Sequence, residues 1–345
     1  MKLTDRKKEI IKQVVVKFIK KAEPVSSKSV ASSPELDLST ATIRKEMSDL
    51  EEMGYLTHPH TSAGRIPTDK GYRFYVDNLV QTKEPVQAAD TQWSNLDLGL
   101  SEDMELETVL KKSSENLAKI TSYLSMVVAP AISQSRLRHI ELLKLENNNF
   151  LMVLITDNGH VYKRNFNQEG SYNNMDLQAL ANVLNMQFKD KLMEEIVPEG
   201  LNLPKSESHL VLLAKKVMGL IQDYASQSIQ YNRIYVHGTS DVLKQPEFID
   251  LGKIRKVLSI IENEYMLMKM LLDISRENEF IIKIGSEIFD QETDELSLIA
   301  SKYRIHNQPS GAIGILGPKR MDYCRVINVV NLFKINLNQI FSAKT

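Results

Sequence analysis

The stretch Ser39-Thr40-Ala41-Thr42-Ile43-Arg44-Lys45-Glu46-Met47-Ser48-Asp49-Leu50 decides how the chain is read. On a helical wheel at about 100° per residue, Ile43, Met47 and Leu50 share one edge. Ala41, Thr42, Lys45 and Ser48 fall on the opposite face, with Arg44 on its flank. Ser39 stands where an N-cap hydroxyl belongs and Gly54 where a left-handed C-cap is favoured, so a helix is predicted over 40–53. Its outward face is small, hydroxylated and basic in the first two turns and turns acidic only at Asp49 and Glu52. A helix that reads the major groove of DNA enters with its N-terminal part, so this gradient runs the right way. Arg44 or Lys45 suits guanine, the Thr42 methyl suits thymine, and the backbone amides of Ser39 and Thr40 suit a phosphate. The competing reading is an amphipathic helix whose polar face meets only water.

The flanks favour the first reading. Residues 4–21 are predicted as a helix capped by Thr4, with Ile10, Ile11, Val14, Val15 and Phe18 at helical spacing and Pro24 beyond its end. Ser26 or Ser27 caps a short second helix that Pro34 closes. After Gly54, residues 55–58 and 65–67 read as two short strands around the polar turn Pro59–Gly64. Thr68 then caps a fourth helix carrying Tyr72, Phe74, Tyr75, Val76 and Leu79. Three helices followed by a ribbon is a winged helix-turn-helix layout. The ribbon brings His58, His60, Thr61, Ser62 and Arg65, donors that suit phosphate or a minor groove. Zinc is not expected at His58 and His60, which are two apart around a proline with no cysteine nearby.

Composition bounds the rest. A chain of 345 residues, 42% hydrophobic and 25% charged, has room for two or three globular domains. The single cysteine, Cys324, excludes an internal disulfide framework and lies in an apolar terminal helix, where a buried, inert thiol is expected. No apolar run reaches the ~18 residues of a membrane span, and the N-terminus turns charged at once, so a cytoplasmic protein without membrane or cofactor is expected. The net charge of −1 hides an asymmetry: residues 1–83 carry +4 and the remainder −5. A basic module on an acidic body points mildly to a polyanion at the N-terminal end.

Residues 82–103 read as a polar linker containing Trp93. A helix is predicted from Met104, with Leu106, Leu110, Leu117, Ile120 and Leu124 in steps of four and three and Ser113 at the missing position between Leu110 and Leu117. Strands are predicted at 140–146, 151–156 and 160–166, the last two joined by the turn Asp157-Asn158-Gly159. Helices follow at 175–188, 207–231 and 253–272, with a strand at 233–237. Further strands are placed at 280–284, 296–303 and 312–316, before a last helix at 321–341. Strands, a helical block and strands again suggest an α/β domain interrupted by an inserted one, an α+β multidomain chain overall. Ile254, Val257, Leu258, Ile261 and Tyr265 form a stripe for which core packing is the default and a dimer contact the second reading. Gly311, Gly314 and Gly317 are spaced unlike a phosphate loop and read as a tightly packed strand. No catalytic constellation can be assembled, so no enzyme is expected.

Pro24-Val25-Ser26-Ser27, Ser39–Arg44, Leu50-Glu51-Glu52-Met53-Gly54 and the run Pro59-His60-Thr61-Ser62-Ala63-Gly64-Arg65-Ile66-Pro67-Thr68-Asp69-Lys70-Gly71-Tyr72-Arg73 closely resemble the bacterial heat-inducible transcription repressor family HrcA. Lys283-Ile284-Gly285-Ser286-Glu287 and Gly314-Ile315-Leu316-Gly317-Pro318-Lys319-Arg320-Met321-Asp322-Tyr323 resemble its C-terminal motifs, so the likeness spans nearly the whole chain. It implies a winged-helix domain (1–81), the linker (82–103), a GAF-like domain (104–166 and 276–345) and an inserted, mainly helical dimerisation domain (167–275). It implies a homodimer that represses chaperone operons through an inverted-repeat operator in double-stranded DNA, with activity lost on heating and restored by chaperonin. Two departures stand out. Lys45 replaces the asparagine common after the recognition-helix arginine, which bears on one base or phosphate contact. Ala22 and Ser26 replace common glycines, which bears on turn geometry. The alternatives are a winged-helix regulator answering to a small metabolite and an enzyme with a regulatory helix-turn-helix.

Overall fold

The computed structural model describes residues 3–59, 64–81, 98–130, 135–146, 148–157, 159–196, 199–227, 234–277, 280–288, 294–305 and 308–343. Its N-terminal head holds α1 (Asp5–Lys21), α2 (Ser27–Ala31), α3 (Thr40–Glu52), the ribbon β1 (Leu56–Thr57) and β2 (Ile66–Pro67), and α4 (Asp69–Gln81). The caps are those the sequence offers: Thr4 for α1, Ser26 for α2 and Ser39 for α3 each accept a backbone N–H with the side-chain oxygen. Helix α1 ends on Ala22 in the left-handed region (φ 56°).

The body is built on a five-stranded antiparallel sheet in the order β7-β3-β10-β9-β8. These strands are β3 (Leu124–Val128), β7 (Ile234–His237), β8 (Phe280–Ile284), β9 (Leu296–Ile305) and β10 (Gln308–Pro318). Period-2 alternation sends Val127, Ile299, Ile313 and Ile315 to one face and Met126, Leu298, Ala300 and Ala312 to the other. The first face lies under α5 (Leu106–Thr121) and α12 (Tyr323–Ala343). The second lies under α11 (Glu264–Glu277), which packs with α10 (Leu251–Glu262); the short α9 (Thr239–Leu243) follows β7. In the middle of the sheet, a Cβ on Gly311 would collide with the Tyr303 ring and one on Gly314 with Leu271, which is why the glycine-rich stretch is a close-packed strand.

A second, three-stranded antiparallel sheet, β4 (Leu137–Lys144), β5 (Asn149–Thr156) and β6 (Val161–Asn167), is covered on one face by α6 (Asn174–Phe188) and α8 (Val211–Gln227), with α7 (Met193–Ile196) between them in sequence. Among the described residues the apolar side chains gather into three cores. One joins the head to the α5–α12 side of the body, one fills the α10–α11 side, and one lies wholly within 137–225.

That packing moves the boundaries read from the sequence. The strands at 137–167 belong with α6–α8, not with the GAF-like candidate 104–166. The helix at 253–272 is two helices broken at Asn263, and both serve the five-stranded sheet, not the insert placed at 167–275. The reason is that an antiparallel meander looks alike in either sheet; only its partner decides membership. Leu124 opens β3, because Ser122 turns left-handed (φ 59°) and ends α5. Residues 82–97, with Trp93, lie outside the described residues. Residues 98–103 dock on α5 through Leu98, whose carbonyl accepts from Asn116 (2.6 Å). Among the described residues no helix is long and apolar enough to cross a membrane.

Candidate nucleic-acid interface

Helix α3 presents the face expected of it. Ile43, Met47 and Leu50 are buried, anchoring the helix in the head. Ser39, Thr40, Ala41, Arg44, Lys45 and Ser48 are exposed and Thr42 is half-buried. The Thr42 N–H donates to Ser39 Oγ (3.1 Å) and the two hydroxyls lie 2.9 Å apart, so the first turn is fixed before any ligand arrives.

Glu46 and Asp49 of α3 are drawn toward α1, while Glu52 stays exposed at the end of the helix. Lys7 of α1 is buried, and its ammonium donates to Asp49 Oδ2 (2.6 Å) and to Glu46, with Arg6 3.6 Å from Glu46. Burial alone pushes the Lys7 ammonium down, but the hydrogen bonds to Asp49 and Glu46 outweigh it and hold it above the ordinary lysine value. Two carboxylates that would repel a phosphate backbone are thereby neutralised from below.

Glu51 organises the root of the ribbon. It accepts from His58 and pairs with Arg65 Nε (2.7 Å). The hydrogen bond from His58 is the main reason its carboxyl stays below the usual range, with Arg65 adding to it against a burial cost. Arg65 also exchanges both backbone hydrogen bonds with Val25 (2.9 Å each), stitching the returning strand to the α1–α2 connection. Thr68 Oγ1 donates to the Gly54 carbonyl (2.6 Å) and accepts the Gly71 N–H, while Lys70 donates to the Met53 carbonyl (2.9 Å) at the end of α3.

The structure therefore brings Ser39, Thr40, Thr42, Arg44, Lys45 and Ser48 onto one surface. It places His58 and Arg65 on Glu51 at the base of the ribbon, so their side chains shape the turn. His60, Thr61 and Ser62 lie outside the described residues. Sequence reasoning missed Lys7 and Glu51; the signal for Glu51 was an acid in the last turn of the helix, next to the basic ribbon. Three of the five residues of the self-association stripe take its first reading, core packing. Val257 is buried, and Ile254 and Ile261 pack against the same core under the five-stranded sheet. Leu258 is half-buried and Tyr265 alone of the five is exposed. Cys324 is half-buried in α12. Among the described residues no cluster of His, Cys, Asp and Glu is placed to hold a metal ion.

Residues 107–327 match the family model of the HrcA protein C-terminal domain. The heat-inducible transcription repressor HrcA of Pelotomaculum thermopropionicum is 34% identical over 99% of this chain and 97% of its own length. That of Natranaerobius thermophilus is 36% identical over 96% of this chain and 94% of its own. The crystal structure of a hypothetical protein, 23% identical, matches the full length of both chains with a TM-score of 0.68, a likeness of fold. With relatives of this identity along almost its entire length, the chain belongs to the HrcA family of heat-inducible transcription repressors, which are not enzymes.

Proposed function

We propose that this repressor binds an inverted-repeat operator in double-stranded DNA as a homodimer, in the cytoplasm, ahead of chaperone genes. The head is its winged helix and the five-stranded unit its GAF-like domain. The observation that carries the reading is the exposed first half of α3, with Arg44 and Lys45 outward, on a helix whose own Glu46 and Asp49 are tied down by Lys7. Repression is lost on heating and restored by chaperonin. The direct test is fluorescence anisotropy with an inverted-repeat promoter duplex and a scrambled one across a salt series. Tight, salt-dependent preference for the inverted repeat is expected; equal affinity for both duplexes refutes operator recognition.

The second copy meets the bare face of the three-stranded sheet. Leu151, Val153 and Ile155 of β5 stand half-exposed there between Leu143 of β4 and Val161 of β6, both exposed. The opposite face is already filled by α6 and α8. An apolar centre on an otherwise polar sheet surface is the type of patch a two-fold partner covers.

A further inference from the structure

Three stretches far apart in the chain, 69–73, 282–287 and 319–323, meet at one place between head and body. Asp69, at the start of α4, accepts from Lys319 Nζ (2.7 Å). The Ser286 N–H and hydroxyl lie 3.4 Å from its other oxygen. Gly285, at φ +53°, passes so close that a Cβ there would collide with the Asp69 carboxylate. One turn along α4, Arg73 donates through Nε to Glu287 (2.9 Å) and through Nη2 to the Ile282 carbonyl (2.7 Å). Glu287 in turn holds the Arg73 guanidinium above its ordinary value. On the other side, Arg320 donates to the Ile19 carbonyl in the last turn of α1 (2.6 Å) while pairing with Glu247. Between these ties Tyr72 is buried, its ring 6.1 Å from that of Tyr323. None of these groups lies on the outward face of α3.

We propose that this is a positioning joint for DNA binding: Asp69, Arg73, Lys319 and Arg320, with Gly285 and Glu287, fix the head on the body so that a dimer presents its two recognition helices at one separation. The inference rests on the operator-binding reading above. A helix-turn-helix dimer reads half-sites at a set helical phase, and phase is kept only if each head has one orientation. Buried aromatic contact supplies the attraction. The directional, charge-assisted bonds supply the angle, because a guanidinium shared between a carboxylate and a carbonyl tolerates little rotation.

The test uses the full-length protein with Arg73→Glu, Glu287→Arg and the two combined. Operator duplexes carry the natural half-site spacing or about 5 bp more, half a helical turn. Wild type is expected to lose at least about tenfold in affinity on the longer spacing, because the second head can no longer add its contacts. Each single variant should bind the natural operator several-fold more weakly and discriminate spacing by less than about threefold, with single half-site binding unchanged. The combined swap should restore discrimination. Single variants that keep the wild-type spacing ratio overturn the proposal. If Arg73→Glu unfolds the head, Lys319→Gln, which removes one tie at the surface, takes its place with a smaller loss in the same direction. If wild type binds no duplex, the operator reading itself has failed. The joint is then judged by the distance between spin labels at exposed positions, Lys28→Cys and Lys269→Cys, in a Cys324→Ser background. A narrow distance that broadens in Arg73→Glu and narrows again in the swap supports the joint, and an unchanged narrow distance overturns it.

Discussion

Lys45 and Arg44 are exposed on a helix that is itself firmly anchored. Replacing either with Ala should leave the head folded and weaken operator binding. A lost phosphate contact lowers the salt slope by about 0.9, whereas a lost base contact costs roughly 1–3 kcal/mol at one position of the operator. Anisotropy titrations on point-substituted operators separate the two cases. Lys7 and Glu51 make predictions of the opposite kind, about stability. Lys7→Met strips Glu46 and Asp49 of their partner and should destabilise the head by roughly 1–3 kcal/mol at neutral pH, read by denaturant unfolding. Glu51 has its carboxyl depressed in the folded head, so its contribution is fully present above the ordinary value of 4.5 and is lost as pH falls through the lower folded value. Thermal melts of wild type and Glu51→Gln should therefore differ at neutral pH and converge in acid.

At the scale of elements, nearly every helix and strand was legible because its cap or period is local. Ser39, Ser26 and Thr4 cap as their positions imply, and the hairpin strands and last helix fall within a few residues of expectation. What was not legible is partnership. β3 was absorbed into the preceding helix because Leu124 continues the four-three spacing of α5, and only the left-handed Ser122 breaks it. The stripe on the helix expected at 253–272 is open to two readings because a core face and an interface face have the same composition. The sheet of β4–β6 carries the same ambiguity, with β5 buried on every second residue and half-exposed on the rest. If that half-exposed row is the dimer contact, Val153→Lys with Val161→Glu should give monomers in sedimentation. They should retain far-UV circular dichroism and bind a half-site but not the full operator tightly. A double variant that stays dimeric places the contact elsewhere.

For the molecule as a whole, the head shares a core with the body, so it is not a bead on a string. On the function proposed above, loosening the body on heating should release the head before α3 itself melts. Operator binding should vanish on mild heating while head helicity persists, and return when chaperonin and ATP are added, with no metabolite required. Gel shifts after heating and cooling, with chaperonin as the variable, check this. Equal binding with and without it refutes the chaperonin link.

The insert leaves the body after β3 and returns at β7, and those strands are antiparallel neighbours with Val128 opposite Ile234. Cutting out 167–275 would strip α10 and α11 from the sheet and expose its core. Cutting out 129–233 and closing with an Asn-Gly turn would simply make β3 and β7 a hairpin. The insert is thus a cassette on a two-point mount. Its buried residues form a core of their own within 137–225, so a change in its contents should leave the sheet that carries it folded.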